Sequence, residues 1–143
     1  MHLNDRTDYG LRILILLGSA SPERLSSRAM ADVYGISYSH VQKVVQSLEA
    51  AGFVDTYRGR GGGVSLARLP ADITVGEVVR ALEPHLDLVG CFRPGTSGCV
   101  LEGGCSLTRS LLRAKAAFLS ELDETTLSQI IDGSPALVQL SWS

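Results

Sequence analysis

Residues 26–52 read SSRAMADVYGISYSHVQKVVQSLEAAG, and the fold turns on this stretch. Two helices are predicted in it. The first spans about Ser27 to Tyr34, with Ser26 or Ser27 as the cap that accepts from backbone N–H groups left unpaired at a helix start. Gly35-Ile36-Ser37 makes a tight connection. The second runs from there to Ala51 and is stopped by Gly52, a residue suited to the left-handed position after a helix. Within it, Val41, Val44, Val45 and Leu48 follow the i, i+3, i+4, i+7 spacing of a buried stripe. The other positions carry Ser39, His40, Gln42, Lys43 and Gln46, groups able to donate and accept hydrogen bonds. Two helices about a glycine turn, the second polar on its outer face, form a helix-turn-helix candidate. Ser37, Tyr38, Ser39, His40, Gln42, Lys43 and Gln46 are its candidate contacts to double-stranded DNA.

Immediately downstream, Phe53-Val54-Asp55-Thr56-Tyr57-Arg58 and Val64-Ser65-Leu66-Ala67-Arg68 read as strands around Gly59-Arg60-Gly61-Gly62-Gly63. A hairpin tipped with glycine and arginine suits a DNA-binding wing. Glycine permits positive φ and close backbone approach, while Arg58 and Arg60 are candidates for phosphate or minor-groove contact. The same glycines do not make a nucleotide loop, because no Gly-Lys-Ser/Thr ending and no helix follow them.

Upstream, a helix is expected from about Asp8 to Leu17, capped by Thr7 or Asp8, with residues 18–25 as a loop. Downstream, a short helix is expected from about Thr74 to Leu82, ended by Pro84. A long helix from about Ser106 to Leu122 carries Leu107, Leu111, Phe118 and Leu122 at spacings suited to a partner helix. A last helix is expected over about Glu124 to Ile131, before a tail with Trp142. The fold class is therefore mainly α with a small β-hairpin wing: a winged helix-turn-helix plus a long dimerisation helix. The division expected is 1–83 for the DNA-binding domain, 84–105 for a cysteine loop that binds a cluster, and 106–143 for the dimerisation helix and C-terminal segment.

Composition is that of an ordinary globular chain, 45% hydrophobic and 20% charged over 143 residues. No apolar run approaches the roughly 20 residues that span a bilayer, and no secretory signal pattern opens the chain. A cytoplasmic protein with no membrane partner is expected. The net charge of −2 hides a modest asymmetry: residues 1–68 hold eight Lys/Arg against six Asp/Glu, and residues 69–143 hold five against nine. A mildly basic front suits DNA, and an acidic back suits a separate sensing part. No Ser–His–Asp or paired-carboxylate arrangement supports an enzyme.

Cys91, Cys99 and Cys105 are the only cysteines, spaced C-x7-C-x5-C in one glycine-rich loop. An odd number argues against a closed disulfide framework, and the spacing is wide for a zinc ribbon. Thiolates on a flexible loop can close around a soft metal centre such as an iron–sulfur cluster. A fourth ligand would come from elsewhere in the chain, from a second subunit or from outside, and His85 near the loop is one candidate. Three plain thiols, or a cluster-free winged-helix regulator using them for zinc or thiol oxidation, remain alternatives.

Thr7-Asp8-Tyr9-Gly10-Leu11-Arg12, Arg58-Gly59-Arg60-Gly61-Gly62-Gly63-Val64-Ser65-Leu66 and Ile73-Thr74-Val75-Gly76-Glu77-Val78-Val79-Arg80-Ala81-Leu82-Glu83-Pro84 resemble the winged-helix iron–sulfur regulators, the family with IscR-type and NsrR-type branches. The three-cysteine loop follows at that family's usual place, and the resemblance covers nearly the whole chain. The opening and the Leu-Glu-Pro segment look closest to the nitric-oxide-sensing NsrR-type repressors. IscR-type members hold a [2Fe–2S] cluster with a histidine three residues after the last cysteine, where this chain has Thr108. The resemblance to the NsrR-type branch implies a [4Fe–4S] cluster held by Cys91, Cys99 and Cys105, with Asp8 supplied from the partner subunit and Arg12 placed to pair with Asp8. It also implies a transcriptional repressor that releases its operator when nitric oxide attacks the cluster; a [2Fe–2S] redox or iron–sulfur-status regulator is the alternative. The expected partners are a second copy of the chain and a palindromic operator, with nitric oxide as effector. The gap between Cys91 and Cys99 is longer than in some relatives.

Overall fold

Asn4 starts the first helix, because its side-chain oxygen accepts from the Thr7 backbone N–H at 2.8 Å. The computed structural model describes residues 1–95 and 97–140, so the tail with Trp142 lies outside the described residues. Helix α1 spans Asp5–Ala20. The expected cap at Thr7 or Asp8 is thereby corrected: Thr7 sits inside the first turn, fully buried. The expected loop from residue 18 is shortened as well, since the helix holds to Ala20 before the Ser21–Pro22 turn.

Helices α2 (Ser27–Tyr34) and α3 (Tyr38–Ala50) form the helix-turn-helix. Ser26 caps α2 by accepting from the Ala29 N–H, and Ser37 caps α3 by accepting from the His40 N–H. Gly35 and Gly52 close the two helices with positive φ. Val41, Val44, Val45 and Leu48 are all buried, as their spacing predicts. Strands β1 (Val54–Tyr57) and β2 (Gly63–Leu66) pair antiparallel with Val54 opposite Leu66 and Tyr57 opposite Gly63. Each is shorter than the sequence suggests, because Phe53 and Ala67 pair through a single backbone bond beyond the ladder's end. Leu25 exchanges two backbone hydrogen bonds with Val64, so the α1–α2 connection runs beside the wing as a short third edge.

Helix α4 (Val75–Leu82) begins with a capping box in which Thr74 and Glu77 satisfy each other's backbone N–H groups, an arrangement that closes two orphan donors at once. Its far end is tied to α1. The Glu83 carboxylate accepts from the buried Thr7 hydroxyl at 2.7 Å and from the Asn4 backbone N–H at 3.1 Å. Gly10 lets α4 press on α1, since a Cβ there would overlap the Leu82 Cδ1 methyl. Helix α5 spans Ser106–Asp123 and is fixed to α4 by a bidentate Arg80–Asp123 pair. Helix α6 covers Leu127–Asp132, shorter than expected because Thr126 caps it in a second capping box, with Gln129. Its Leu127 joins Ile13, Leu14, Leu17, Met30, Leu48, Ile73 and Val78 in the one core. Among the described residues, no helix is long and apolar enough to cross a membrane.

Candidate nucleic-acid interface and cysteine loop

Helix α3 presents Tyr38, Ser39, Gln42, Lys43 and Gln46 as exposed side chains. A cleft of about 370 Å³ lies between α3, the start of α2 and the wing, bordered by Ser26, Arg28, Tyr38, Gln42, Gln46, Glu49, Tyr57 and Arg58. Inside it the polar groups are already ordered. The Gln42 amide donates to the Tyr38 hydroxyl at 2.8 Å, and the Arg28 guanidinium lies 4.4 Å above the Tyr38 ring. Glu49, the one carboxylate facing this cleft, accepts from the Thr56 hydroxyl at 2.5 Å. Arg58 lines the cleft, while Arg60 stands exposed at the hairpin tip, where Gly59 and Gly61 take positive φ.

Two expected contact residues serve additional local roles. The Ser37 hydroxyl is occupied as the α3 cap. His40 is half-buried and turned toward α1, its ring edge-on to Tyr9 with centroids 4.9 Å apart. With Arg6, Lys43, Asn4 and Pro84 it borders a second cleft of about 340 Å³ on the α1 side. Sequence reading missed Arg24 and Arg28. Neither belongs to a helix-turn-helix pattern by local spacing, and each is recognisable only by the aromatic ring it meets across the fold: Tyr57 for Arg24, Tyr38 for Arg28.

The cysteine loop departs from α4 at Pro84, makes one 3-10 turn at Gly90–Phe92 and enters α5 through Cys105. Cys91 and Cys105 line the same cleft of about 330 Å³, together with Glu102, Thr108 and Arg109. The Thr108 hydroxyl lies 3.3 Å from the Cys91 sulfur. Cys105 occupies the N-cap position of α5, and its thiol is held below the ordinary range, first by the Thr108 backbone N–H, then by the Thr108 hydroxyl, the Leu107 N–H and the Arg109 charge. A thiol at a helix N-terminus is biased toward thiolate in this way. Cys99 is exposed on the adjoining turn and is not among the residues lining that cleft. Its loop is held by Glu102, whose carboxylate accepts from the Gly95 N–H at 2.7 Å and the Ser97 hydroxyl at 3.1 Å. The three thiols are free, and among the described residues no three His, Cys, Asp or Glu side chains converge as a finished metal site. His85 is exposed and does not line the cleft.

Asp8 projects from α1 with both carboxylate oxygens held by Arg12, at 3.0 and 2.8 Å. The Arg12 guanidinium carbon lies 5.8 Å from the centre of the Tyr9 ring, and the Arg12 carbonyl accepts from the Tyr34 hydroxyl at 2.7 Å. Asp8, Arg12, Tyr9 and His40 thus form a continuous chain of contacts from the flank of α1 to α3.

Residues 3–133 match the Rrf2 family model, described as an iron-dependent transcriptional regulator. The chain is 41% identical over 143 residues to the HTH-type transcriptional regulator NsrR of Shouchella clausii, covering 97% of this chain and 96% of that protein. Among solved structures, CymR, the global cysteine regulator of B. subtilis, superposes with a TM-score of 0.76 at 29% identity, covering 92% of this chain and 97% of that one. IscR of T. potens superposes with a TM-score of 0.73 at 25% identity, covering 100% of this chain and 94% of that one. These relatives are regulators of transcription or solved as members of that fold, and none is named as an enzyme.

Proposed function

The chain belongs to the Rrf2 family of iron-dependent transcriptional regulators, and from that premise we propose that it is a homodimeric, cytoplasmic repressor that senses nitric oxide through a [4Fe–4S] cluster. The observation that carries this reading is the cysteine loop itself. It brings Cys91 and Cys105 to one cleft at the head of α5, with the Thr108 hydroxyl 3.3 Å from the Cys91 sulfur. Soft thiolates of this kind fit an iron–sulfur cluster. Cys91, Cys99 and Cys105 would hold it, with Asp8 of the second subunit as the fourth, harder ligand. When bound, the cluster supplies iron that nitric oxide can ligate at the expense of protein ligands.

What the chain's own residues contribute is coupling. Asp8, if it ligated a metal, would no longer keep both oxygens on Arg12, whose guanidinium lies beside the Tyr9 ring that meets His40 on α3. A shift in Asp8 would thereby be passed to α3, the helix proposed to face DNA. The second copy is supported by α5: none of its residues is buried, and Leu107, Leu112 and Phe118 are 63, 47 and 45% exposed. Two-fold symmetry would set the two α3 helices in successive major grooves of a palindromic operator, about 10–10.5 bp apart or a multiple of that. Ser39, Gln42, Lys43 and Gln46 would meet base edges and backbone, with Arg58 and Arg60 on phosphates or in the minor groove.

The test is anaerobic purification with a visible spectrum, iron and sulfide analysis, and titration of nitric oxide against operator binding. About four iron and four sulfide per chain, and operator release on nitric oxide addition, are expected. About two of each would transfer the chain to the [2Fe–2S] redox reading. A colourless, zinc-loaded sample would leave the thiol-based regulator.

A further inference from the structure

The wing is braced from outside the hairpin by a residue with no assigned part in DNA binding. Arg24 lies in the α1–α2 connection, one residue before the Leu25–Val64 backbone pairing. Its guanidinium stacks 3.4 Å above the Tyr57 ring at the end of β1, and its Nη1 donates to the Gly61 carbonyl at the tip, at 3.3 Å. The sequence makes room for this approach. Gly63, opposite Tyr57, takes a φ of +136°, and a Cβ there would crowd the Leu25 carbonyl oxygen and the Arg24 Cβ. The tip needs such a brace, because Gly59, Gly61, Gly62 and Gly63 leave five residues with little side-chain packing and large backbone freedom.

We propose that Arg24 is a positioning residue that holds the wing in its binding conformation, so that Arg60 and Arg58 reach DNA without first ordering the hairpin. This rests on the DNA-binding reading above and deepens it. Preorganisation of a loop raises affinity by removing the ordering cost at the moment of binding. A direct phosphate contact by Arg24 is the competing role, and the two differ in what salt does. Arginine is required for bracing because a planar guanidinium can lie flat on Tyr57 and still donate in its own plane, which an ammonium cannot.

The first arm uses the free chain. Arg24→Ala should increase tryptic cleavage after Arg58 and Arg60 by about tenfold, since cleavage follows the open population, with cleavage after Arg80 unchanged. Tyr57→Leu, which removes the platform from the other side, should reproduce it. The second arm uses a duplex selected from a random-sequence library by the unaltered chain. Arg24→Ala and Arg24→Lys should both bind it about three- to tenfold more weakly with the salt slope unchanged, and Arg24→Ala should cost less when Arg60 is already alanine, and nothing further when Arg58 and Arg60 both are. A slope reduced by about 0.9 marks a direct phosphate contact and overturns the proposal. So does a loss that adds fully to that of Arg60→Ala, cleavage unchanged at the wing, or cleavage raised equally at Arg80. If the unaltered chain selects no duplex, the regulator reading falls, and the cleavage comparison alone decides whether Arg24 braces the hairpin.

Discussion

Tyr9 of α1 and His40 of α3 meet edge to face, their centroids 4.9 Å apart and their planes at 84°. Helix α3 therefore leans on the residue next to Asp8. An aromatic pair of this geometry contributes about 0.5–1.5 kcal/mol beyond its buried area, too little for the fold to depend on it. Tyr9→Leu should leave the chain folded while shrinking, by several-fold, the difference in operator affinity between cluster-loaded and cluster-free protein. Fluorescence anisotropy on both forms measures it. An undiminished difference would mean that the state of Asp8 reaches α3 by another route.

Arg60, exposed at the hairpin tip, is expected to neutralise a phosphate. Arg60→Ala should weaken binding to every duplex, related or unrelated to the operator, and reduce the slope of log K against log salt by about 0.9. Affinities titrated between low and moderate salt give both quantities. If neither moves, Arg60 makes no phosphate contact.

Glu77 gives the fold an acid-sensitive latch. Its carboxyl is held below the ordinary range, chiefly by the Thr74 backbone N–H, which outweighs the opposing effect of burial, and further by Arg68 and the Thr74 hydroxyl. A carboxyl with a depressed native pKa binds fewer protons folded than unfolded, so its contribution is complete above the ordinary carboxylate range and is lost as pH falls through the native value. Glu77→Gln should flatten the acid side of the stability profile by lowering stability near neutrality, where the charged carboxylate contributes through the Thr74 N–H and Arg68, while leaving stability at low pH nearly unchanged. Urea midpoints across acid and neutral pH test this, and an unaltered acid limb would contradict it.

Cys105 should be the first thiol alkylated in cluster-free protein near neutral pH, ahead of the more exposed Cys99. The reason is thiolate fraction rather than access: the Thr108 N–H and hydroxyl favour the ionised sulfur. Thr108→Val should slow Cys105 and shift its rate–pH profile upward. Mass-mapped iodoacetamide kinetics distinguish the sites, and equal rates for Cys99 and Cys105 would refute the assignment.

Much of the helix-turn-helix and hairpin is legible locally. Ser26, Ser37, Gly35 and Gly52 mark helix ends by chemistry that acts within a few residues, and the Gly59–Gly63 tip announces a hairpin. The first helix start is capped just as locally, by Asn4 accepting from the Thr7 N–H, but Thr7 and Asp8 are capping residue types too, and only the bond from the Thr7 hydroxyl to Glu83, 76 residues away, shows Thr7 to be buried inside the turn. Arg24 on Tyr57 and His40 on Tyr9 are equally invisible to spacing, since each contact forms only once the core has brought separate elements together. The cysteines are visible as ligand types, but the chain alone leaves Cys99 outside the cleft that Cys91 and Cys105 share. The pairing of Asp8 with Arg12 does follow from their one-turn spacing on a helix.

Gly10 completes a turn whose three consecutive side-chain positions face three different neighbours. Asp8 points to Arg12, Tyr9 to His40, and the bare Cα of Gly10 lies against Leu82. A methyl at residue 10 would meet the Leu82 Cδ1 methyl, so the Leu82 side chain or the approach of α4 to α1 would have to give. The tripeptide thus gathers three separate contacts into one turn of α1. Relatives that retain Asp-Tyr-Gly together with a leucine at the end of the facing helix would share these contacts. That offers a criterion for sorting chains that share the coupling from chains that share only the architecture.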